Sequence, residues 1–211
     1  MLTVAHRAGN SPVALREALD AGVDLVEADV HLFRNGLEVR HSYALGRTLL
    51  WEQGERPVRR RDVLPSQLVD VLTAAGDDPR LMLDLKGPLL TVAPRVATLL
   101  RDLVPDRPLT VCTKQWRMLD AFAGDRHVRL VHSASNRLQL NQLRTRIRRR
   151  PGFGVSVRLP LLTREIVADL RRAVDVVMAW PVDTERDLDY ARQVGANGVI
   201  SKDLGLLRAL R

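Results

Sequence analysis

The sequence predicts an α/β fold, a (β/α)₈ TIM barrel formed by residues 1–211 as one domain, on two observations. Eight apolar, β-branched runs recur along the chain, and segments with helical spacing separate them. Strict alternation implies a parallel sheet, because each parallel strand is reached through a crossover connection. Eight such units favour closure into a barrel. The competing architecture, an open doubly wound sheet, wants a glycine-rich turn after the first strand, and His6-Arg7-Ala8-Gly9 stands there instead.

Taken in order, the first strand is read at Leu2 to His6. The helix Ser11 to Ala21 follows, with Ser11 as its cap, Pro12 at the first helical position and Gly22 to end it. The second strand, Leu25 to Phe33, leads into turn residues Asn35-Gly36 and a returning run, Leu37 to His41. A two-residue Asn-Gly loop would set His41 opposite Val30. A three-residue loop with Gly36 left-handed would set it opposite Asp29, and this second register is expected. The remaining strands are read at Leu81 to Lys86, Leu109 to Lys114, Val128 to His132, Val155 to Leu159, Val176 to Trp180 and Gly198 to Ser201. Helices are read at Ser66 to Ala75, Val92 to Val104, Trp116 to Ala123, Leu138 to Arg149, Arg164 to Ala173, Glu185 to Gln193 and Leu206 to Leu210.

The length suffices for a core without disulfides, and the single cysteine, Cys112, can form none internally. No apolar run is long enough for a membrane span, and the first strand leaves no room for a signal peptide, so a cytoplasmic location is expected. The formal charge of +8 suits an anionic partner. The basic runs Arg56 to Arg61 and Arg144 to Arg150 read first as solvated faces, with phosphate or lipid contact as the alternative. Aromatic residues are 4% of the chain, which leaves few stacking platforms and argues against nucleic acid as the partner.

In such a barrel the chemistry sits at the C-terminal strand ends. Those ends hold His6 and Arg7, Glu27 and Asp29, Asp84 and Lys86, Lys114, His132, Arg158, Trp180, and Ser201 with Lys202. The chain uses thirty arginines and only three lysines, Lys86, Lys114 and Lys202, and all three fall on these ends. That placement predicts a cationic, phosphate-sized pocket. Glu27 and Asp29 lie two apart on one strand and so share a face, as do Asp84 and Lys86 on the next. One lysine offsets one of three carboxylate charges. The set therefore favours a hard divalent ion, Mg²⁺ or Ca²⁺, with an ion-pair cluster closing the barrel mouth as the alternative. His31, His127 and His132 read as structural, with His132 a candidate substrate contact; Trp116 and Trp180 read as pocket walls or core.

These residues resemble the glycerophosphodiester phosphodiesterase family. His6-Arg7-Ala8-Gly9 with Pro12 resembles its first motif, Ala21 through Val30 its Gly-Ala-Asp and Ile-Glu-x-Asp-Val signature, and Val39-Arg40-His41 its Val-x-His. Leu64-Pro65 through Leu72, Leu83 through Lys86, Ala179-Trp180-Pro181-Val182 and Gly195 through Ser201 resemble later family segments, so the likeness spans almost the whole chain. Aspartate at position 84 also resembles the sphingomyelinase D branch. Trp116, Lys114, Arg158 and Trp180 are read as shaping the substrate pocket, and the resemblance implies that Glu27, Asp29 and Asp84 hold the metal, that His6 and His41 act as acid and base, and that Arg7 and Lys86 bind phosphate. It implies hydrolysis of a small-molecule or lipid-derived phosphodiester, giving glycerol 3-phosphate and an alcohol. A lysophospholipase D or sphingomyelinase D type activity, with peripheral membrane contact, is the alternative, followed by a non-catalytic barrel that binds anionic phosphates. The family's glutamate and asparagine after Pro12 are missing, and Ser42 replaces the aspartate that commonly follows the second histidine.

Overall fold

The apolar runs form strands buried along both faces, and their ladders close on themselves. The computed structural model describes residues 1–52, 54–88 and 90–210. In chain order the elements are β1 (Leu2–Ala5), α1 (Pro12–Asp20), β2 (Leu25–Phe33), β3 (Gly36–Val39), β4 (Tyr43–Leu45), β5 (Leu49–Trp51), β6 (Val58–Arg59), β7 (Ser66–Gln67), α2 (Leu68–Ala75), β8 (Leu81–Leu85) and α3 (Val92–Leu103). There follow β9 (Leu109–Thr113), a 3₁₀ segment (Trp116–Phe122), β10 (Val128–Ala134), α4 (Arg137–Arg149), β11 (Gly152–Arg158), α5 (Arg164–Leu170), β12 (Val174–Trp180), α6 (Glu185–Gln193), β13 (Gly198–Ser201) and α7 (Leu204–Arg208). The parallel order β1-β13-β12-β11-β10-β9-β8-β2, with β1 also paired to β2, closes an eight-stranded (β/α)₈ barrel and excludes the open sheet.

Alternation along each strand sorts side chains into two cores. One face packs against the helices in a large cluster that includes Val26, Ala28, Leu83, Val111, Val155 and Val177. The other face fills the barrel interior with Val4, Leu25, Met82, Cys112, Val131, Met178 and Ile200. Two residues further along these strands, on the same inward face, the apolar plug gives way to His6, Glu27, Asp84, Lys114, Ser133, Trp180 and Lys202. This register is why the scarce lysines gather at one mouth. It also buries Cys112, whose thiol pKa burial pushes well up, so the residue is an inert part of the plug.

Several expectations shift. The hairpin pairs Phe33 with Gly36 and Val30 with Val39, so its loop is Arg34-Asn35 and neither expected register forms. Arg34, not Gly36, takes the left-handed conformation, at φ 53°, so an arginine fills the first loop position that glycine usually occupies in a type II′ turn. The last ladder bond runs from Arg40 N to Asp29 O at 3.0 Å, after which the chain leaves the sheet and His41 has no strand partner. Ser66 and Gln67, read as helix, form edge strand β7 against β3, and Gln67 then caps α2. The segment read as a helix after β9 is 3₁₀ throughout, burying Met118, Leu119 and Phe122. The last helix starts earlier than expected because the Asp203 side chain accepts from Leu206 N at 3.0 Å.

Candidate functional site

Strand β1 ends where His6 N donates to Ser201 O at 2.7 Å, pinning the turn that follows to β13. Arg7 then takes φ 61°, which turns its backbone N–H onto Glu27 Oε2 at 2.6 Å. Gly9 lets this turn lie against β2: a Cβ there would stand 2.7 Å from Ala28 Cβ and 2.9 Å from Glu27 O. Asn10 clamps the second carboxylate from both sides, with Nδ2 donating to Asp29 Oδ2 at 2.8 Å and Oδ1 accepting from Asp29 N at 2.7 Å. The first turn thus positions both carboxylates of β2.

Strands β2 and β8 pair Asp29 with Asp84 directly. One oxygen each from Glu27, Asp29 and Asp84 lies within 4.8 Å of the others, and Glu27 and Asp29 are 3% and 0% exposed. Lys86 Nζ lies 2.8 Å from Asp29 Oδ1 and also contacts Asp84 Oδ2. His41 enters from the chain that leaves β3: its Nε2 accepts from Arg7 Nη2, and its Nδ1 stands 2.9 Å from Glu52 Oε1. Glu52 also accepts from Arg7 Nη1 at 2.8 Å, so one carboxylate orients both the guanidinium and the imidazole. The cavity here measures about 330 Å³ and is lined by His31, His41, Tyr43, Asp84, Lys86 and Lys114 among others. Larger grooves of about 510 and 580 Å³ lie elsewhere on the surface without converging carboxylates.

No protein-family model and no curated protein sequence matches the chain. Solved structures do. A glycerophosphodiester phosphodiesterase from Thermotoga maritima superposes at a TM-score of 0.78 with 18% identity, over 100% of this chain and 98% of that one. The fold is that of the glycerophosphodiester phosphodiesterase barrels. A phosphodiesterase from Oleispira antarctica, solved with the product sn-glycerol 3-phosphate, gives a TM-score of 0.73 at 16% identity over 99% and 96% of the two chains. A glycerophosphoryl diester phosphodiesterase domain from Mycobacterium tuberculosis gives 0.69 at 17% identity, over 100% and 98%.

The electrostatics fit a divalent cation. Burial, then the neighbouring Asp29 charge, pushes the Glu27 carboxyl well above the ordinary range. Burial also raises Asp84, against the pull of Lys86. At Asp29 burial pushes upward too, but Lys86 and Asn10 outweigh it and hold the carboxyl at about 2. Burial works against the Lys86 ammonium, and Asp84, Asp29 and Glu27 more than compensate, raising it well above its usual value. One lysine thus leaves two carboxylate charges uncompensated, and the buried Asp84 Oδ1 has no hydrogen-bond partner. A hard, oxygen-preferring divalent ion would supply that charge and that partner. The ion pairing of the alternative reading is present as well: Lys86 pairs with two of the three acids.

The structure thus brings His6, Arg7, Glu27, Asp29, His41, Asp84 and Lys86 to one mouth. Lys114 stands across it, its Nζ 4.7 Å from the centre of the Trp180 ring. Trp180 belongs to the inner cluster, and Arg158, its register partner on β11, is exposed at the rim. His132 departs from its expected place: it lies within β10 and faces outward, where Arg146 Nε reaches its Nε2 at 3.1 Å. Trp116 also packs outside the barrel and donates to Ser133 O at 2.9 Å. His31, read as structural, lines the cavity. Sequence reasoning missed Asn10, Glu52 and Tyr43. For Asn10 the signal was its place in the turn after His6; for Glu52 there was none.

Proposed function

We propose that this chain hydrolyses glycerophosphodiesters to glycerol 3-phosphate and an alcohol, using a divalent metal, Mg²⁺ or Ca²⁺, held by Glu27, Asp29 and Asp84. The observation that carries this reading is the convergence of the Glu27, Asp29 and Asp84 carboxylates, the last of which lines a phosphate-sized cavity together with Lys86 and His41. The likeness to the Oleispira antarctica enzyme, solved with glycerol 3-phosphate, supports it. When bound, the ion would neutralise a phosphodiester anion and favour attack at phosphorus.

Arg7 and Lys86 bind the phosphoryl oxygens in this reading, and Lys114 extends the cationic wall. His6 suits the role of base. Burial, then the Arg7 charge, lowers its pKa to about 4, so it stands neutral near pH 7 and can take the proton of an attacking hydroxyl. His41 suits the acid. Burial, with Arg7 and Lys86, lowers its pKa, while Asp29 and Glu52 oppose that shift, so His41 serves as acid once it has taken up a proton, with the Glu52 carboxylate beside Nδ1 to stabilise the imidazolium. With water as the attacker, its oxygen bonds to phosphorus and its proton passes to His6, the bond to the leaving alcohol breaks, and that alcohol departs with the proton from His41, leaving glycerol 3-phosphate.

Aspartate at position 84 and the exposed Tyr43 at the cavity edge favour a second reading, a lysophospholipase D or sphingomyelinase D type cleavage of a lipid-tailed substrate. Product analysis separates the two. On glycerophosphocholine and glycerophosphoethanolamine the first reading predicts glycerol 3-phosphate. On lysophosphatidylcholine the second predicts headgroup release with an acylated phosphate product. Turnover of neither class would overturn both and leave a barrel that binds anionic phosphates. Among the described residues no helix is long and apolar enough to cross a membrane, so a lipid substrate would be met from outside the bilayer.

A further inference from the structure

After His41 the chain builds a small antiparallel sheet beside the barrel mouth. Residues opposite one another across such ladders share a face. Tyr43 pairs with Trp51, Leu45 with Leu49, and Leu49 with Arg59, so these five stand together, while Ala44, Leu50 and Val58 stand on the other side. Leu50 is 1% exposed, so the second side is turned inward at its centre, although Val58 at its edge strand is 44% exposed. The first is turned out, with Tyr43 51% and Leu45 43% exposed. Beyond it Leu64 is 87% exposed, and Leu49 and Leu64 share a groove of about 580 Å³ with Arg47, Arg59, Arg60 and Arg61.

Contiguous exposed apolar side chains with a charged rim mark an interaction surface. We infer that this face seats the protein on an anionic phospholipid bilayer. Three features select that occupant. Tyr and Trp with Leu suit the headgroup boundary, where an apolar body and a polar tip are both satisfied. The exposed Arg47, Arg59 and Arg61 complement anionic headgroups, whereas Arg60 pairs with Glu38 and packs over Phe33. The aromatic rings are unsuited to nucleobases, because Tyr43 and Trp51 pack against each other at 6.4 Å and His31 meets Tyr43 edge-on at 6.1 Å, leaving no open stacking platform. A second copy of the chain is disfavoured, since a two-fold contact would set the same arginines against one another. Tyr43 also lines the cavity that holds His41, Asp84 and Lys86, so a bilayer on this face lies at the site mouth. The surface stands independently of the reaction proposed above.

Sedimentation with vesicles tests it without any turnover. The full chain should co-sediment with equimolar phosphatidylglycerol and phosphatidylcholine vesicles, bind pure phosphatidylcholine far less, and release as salt is raised. The double variant Arg47→Glu/Arg59→Glu should bind the mixed vesicles at least about tenfold more weakly, and Leu45→Asp should also lose binding. The charge-matched control Arg16→Glu/Arg101→Glu, on α1 and α3, should bind as wild type, and circular dichroism checks that each variant is folded. Wild-type binding by the folded face variants, equal loss in the control, or tighter binding of a single-stranded oligonucleotide than of vesicles would overturn the inference. Vesicle binding without hydrolysis of any phosphodiester would leave this surface standing and remove only the reaction.

Discussion

His6 and His41 stand in different surroundings, and the proposed division of base and acid between them rests on that difference. His6 is held neutral by burial, whereas His41 is bracketed by the Arg7 guanidinium and the Glu52 carboxylate. His6→Ala and His41→Ala should each lower turnover by about 10² to 10⁴, measured as glycerol 3-phosphate release. Glu52→Gln removes a charge that raises the His41 pKa. It should cost about tenfold in kcat, the low end for an oriented acid–base group, and move the basic limb of the kcat–pH profile to lower pH; an unmoved limb would contradict an acid role for His41. The carboxylate triad was legible because positions 27 and 29 on one strand, like 84 and 86 on the next, obey a period of two and the chain is poor in lysine. Glu52 was not. Its contact with Arg7 spans 45 positions and depends on a small sheet that brings back a carboxylate where Ser42 offers none.

At the level of elements, the turn after β1 and the hairpin after β2 determine where the carboxylates and His41 come to rest. Gly9 packs on the β2 backbone beside Glu27, so Gly9→Ala forces two backbones apart. It should destabilise the fold by about 1 to 3 kcal/mol, read by denaturant unfolding, and weaken metal binding in calorimetry. Wild-type stability and affinity would mean that this close approach positions nothing. Strand positions were legible to within a few residues because β-branched apolar runs have few alternatives. The hairpin register was not, since Arg34 occupies a left-handed position that turn chemistry assigns to glycine or asparagine. The 3₁₀ crossover escaped notice for a similar reason: Met118, Leu119 and Phe122 bury equally well on a helix of either pitch.

Across the whole molecule, closure of the barrel was legible from alternation alone, while the inner plug and the polar layer above it needed the strand register. Burial lowers three histidines from 6.5, to about 3 at His31 and about 4 at His6 and His132. The unfolded chain therefore binds more protons than the folded one from about pH 6.5 down to these values, and stability present above pH 6.5 is lost as pH falls. Thermal unfolding should show Tm dropping from pH 6.5 toward pH 4, where three imidazoles outnumber the raised Glu27 and Asp84 carboxyls that act in the opposite direction; a Tm that rises on acidification would mean that those carboxyls dominate or that these imidazoles are charged in the folded state. The most direct measurement is glycerol 3-phosphate release from glycerophosphocholine by the wild-type chain and Asp84→Asn, after chelation with EDTA and again after adding Mg²⁺ or Ca²⁺. Wild-type release should fall to background in EDTA and return with the ion, and Asp84→Asn should stay near background at the same ion concentration. Full wild-type release in EDTA would contradict a metal held by Glu27, Asp29 and Asp84.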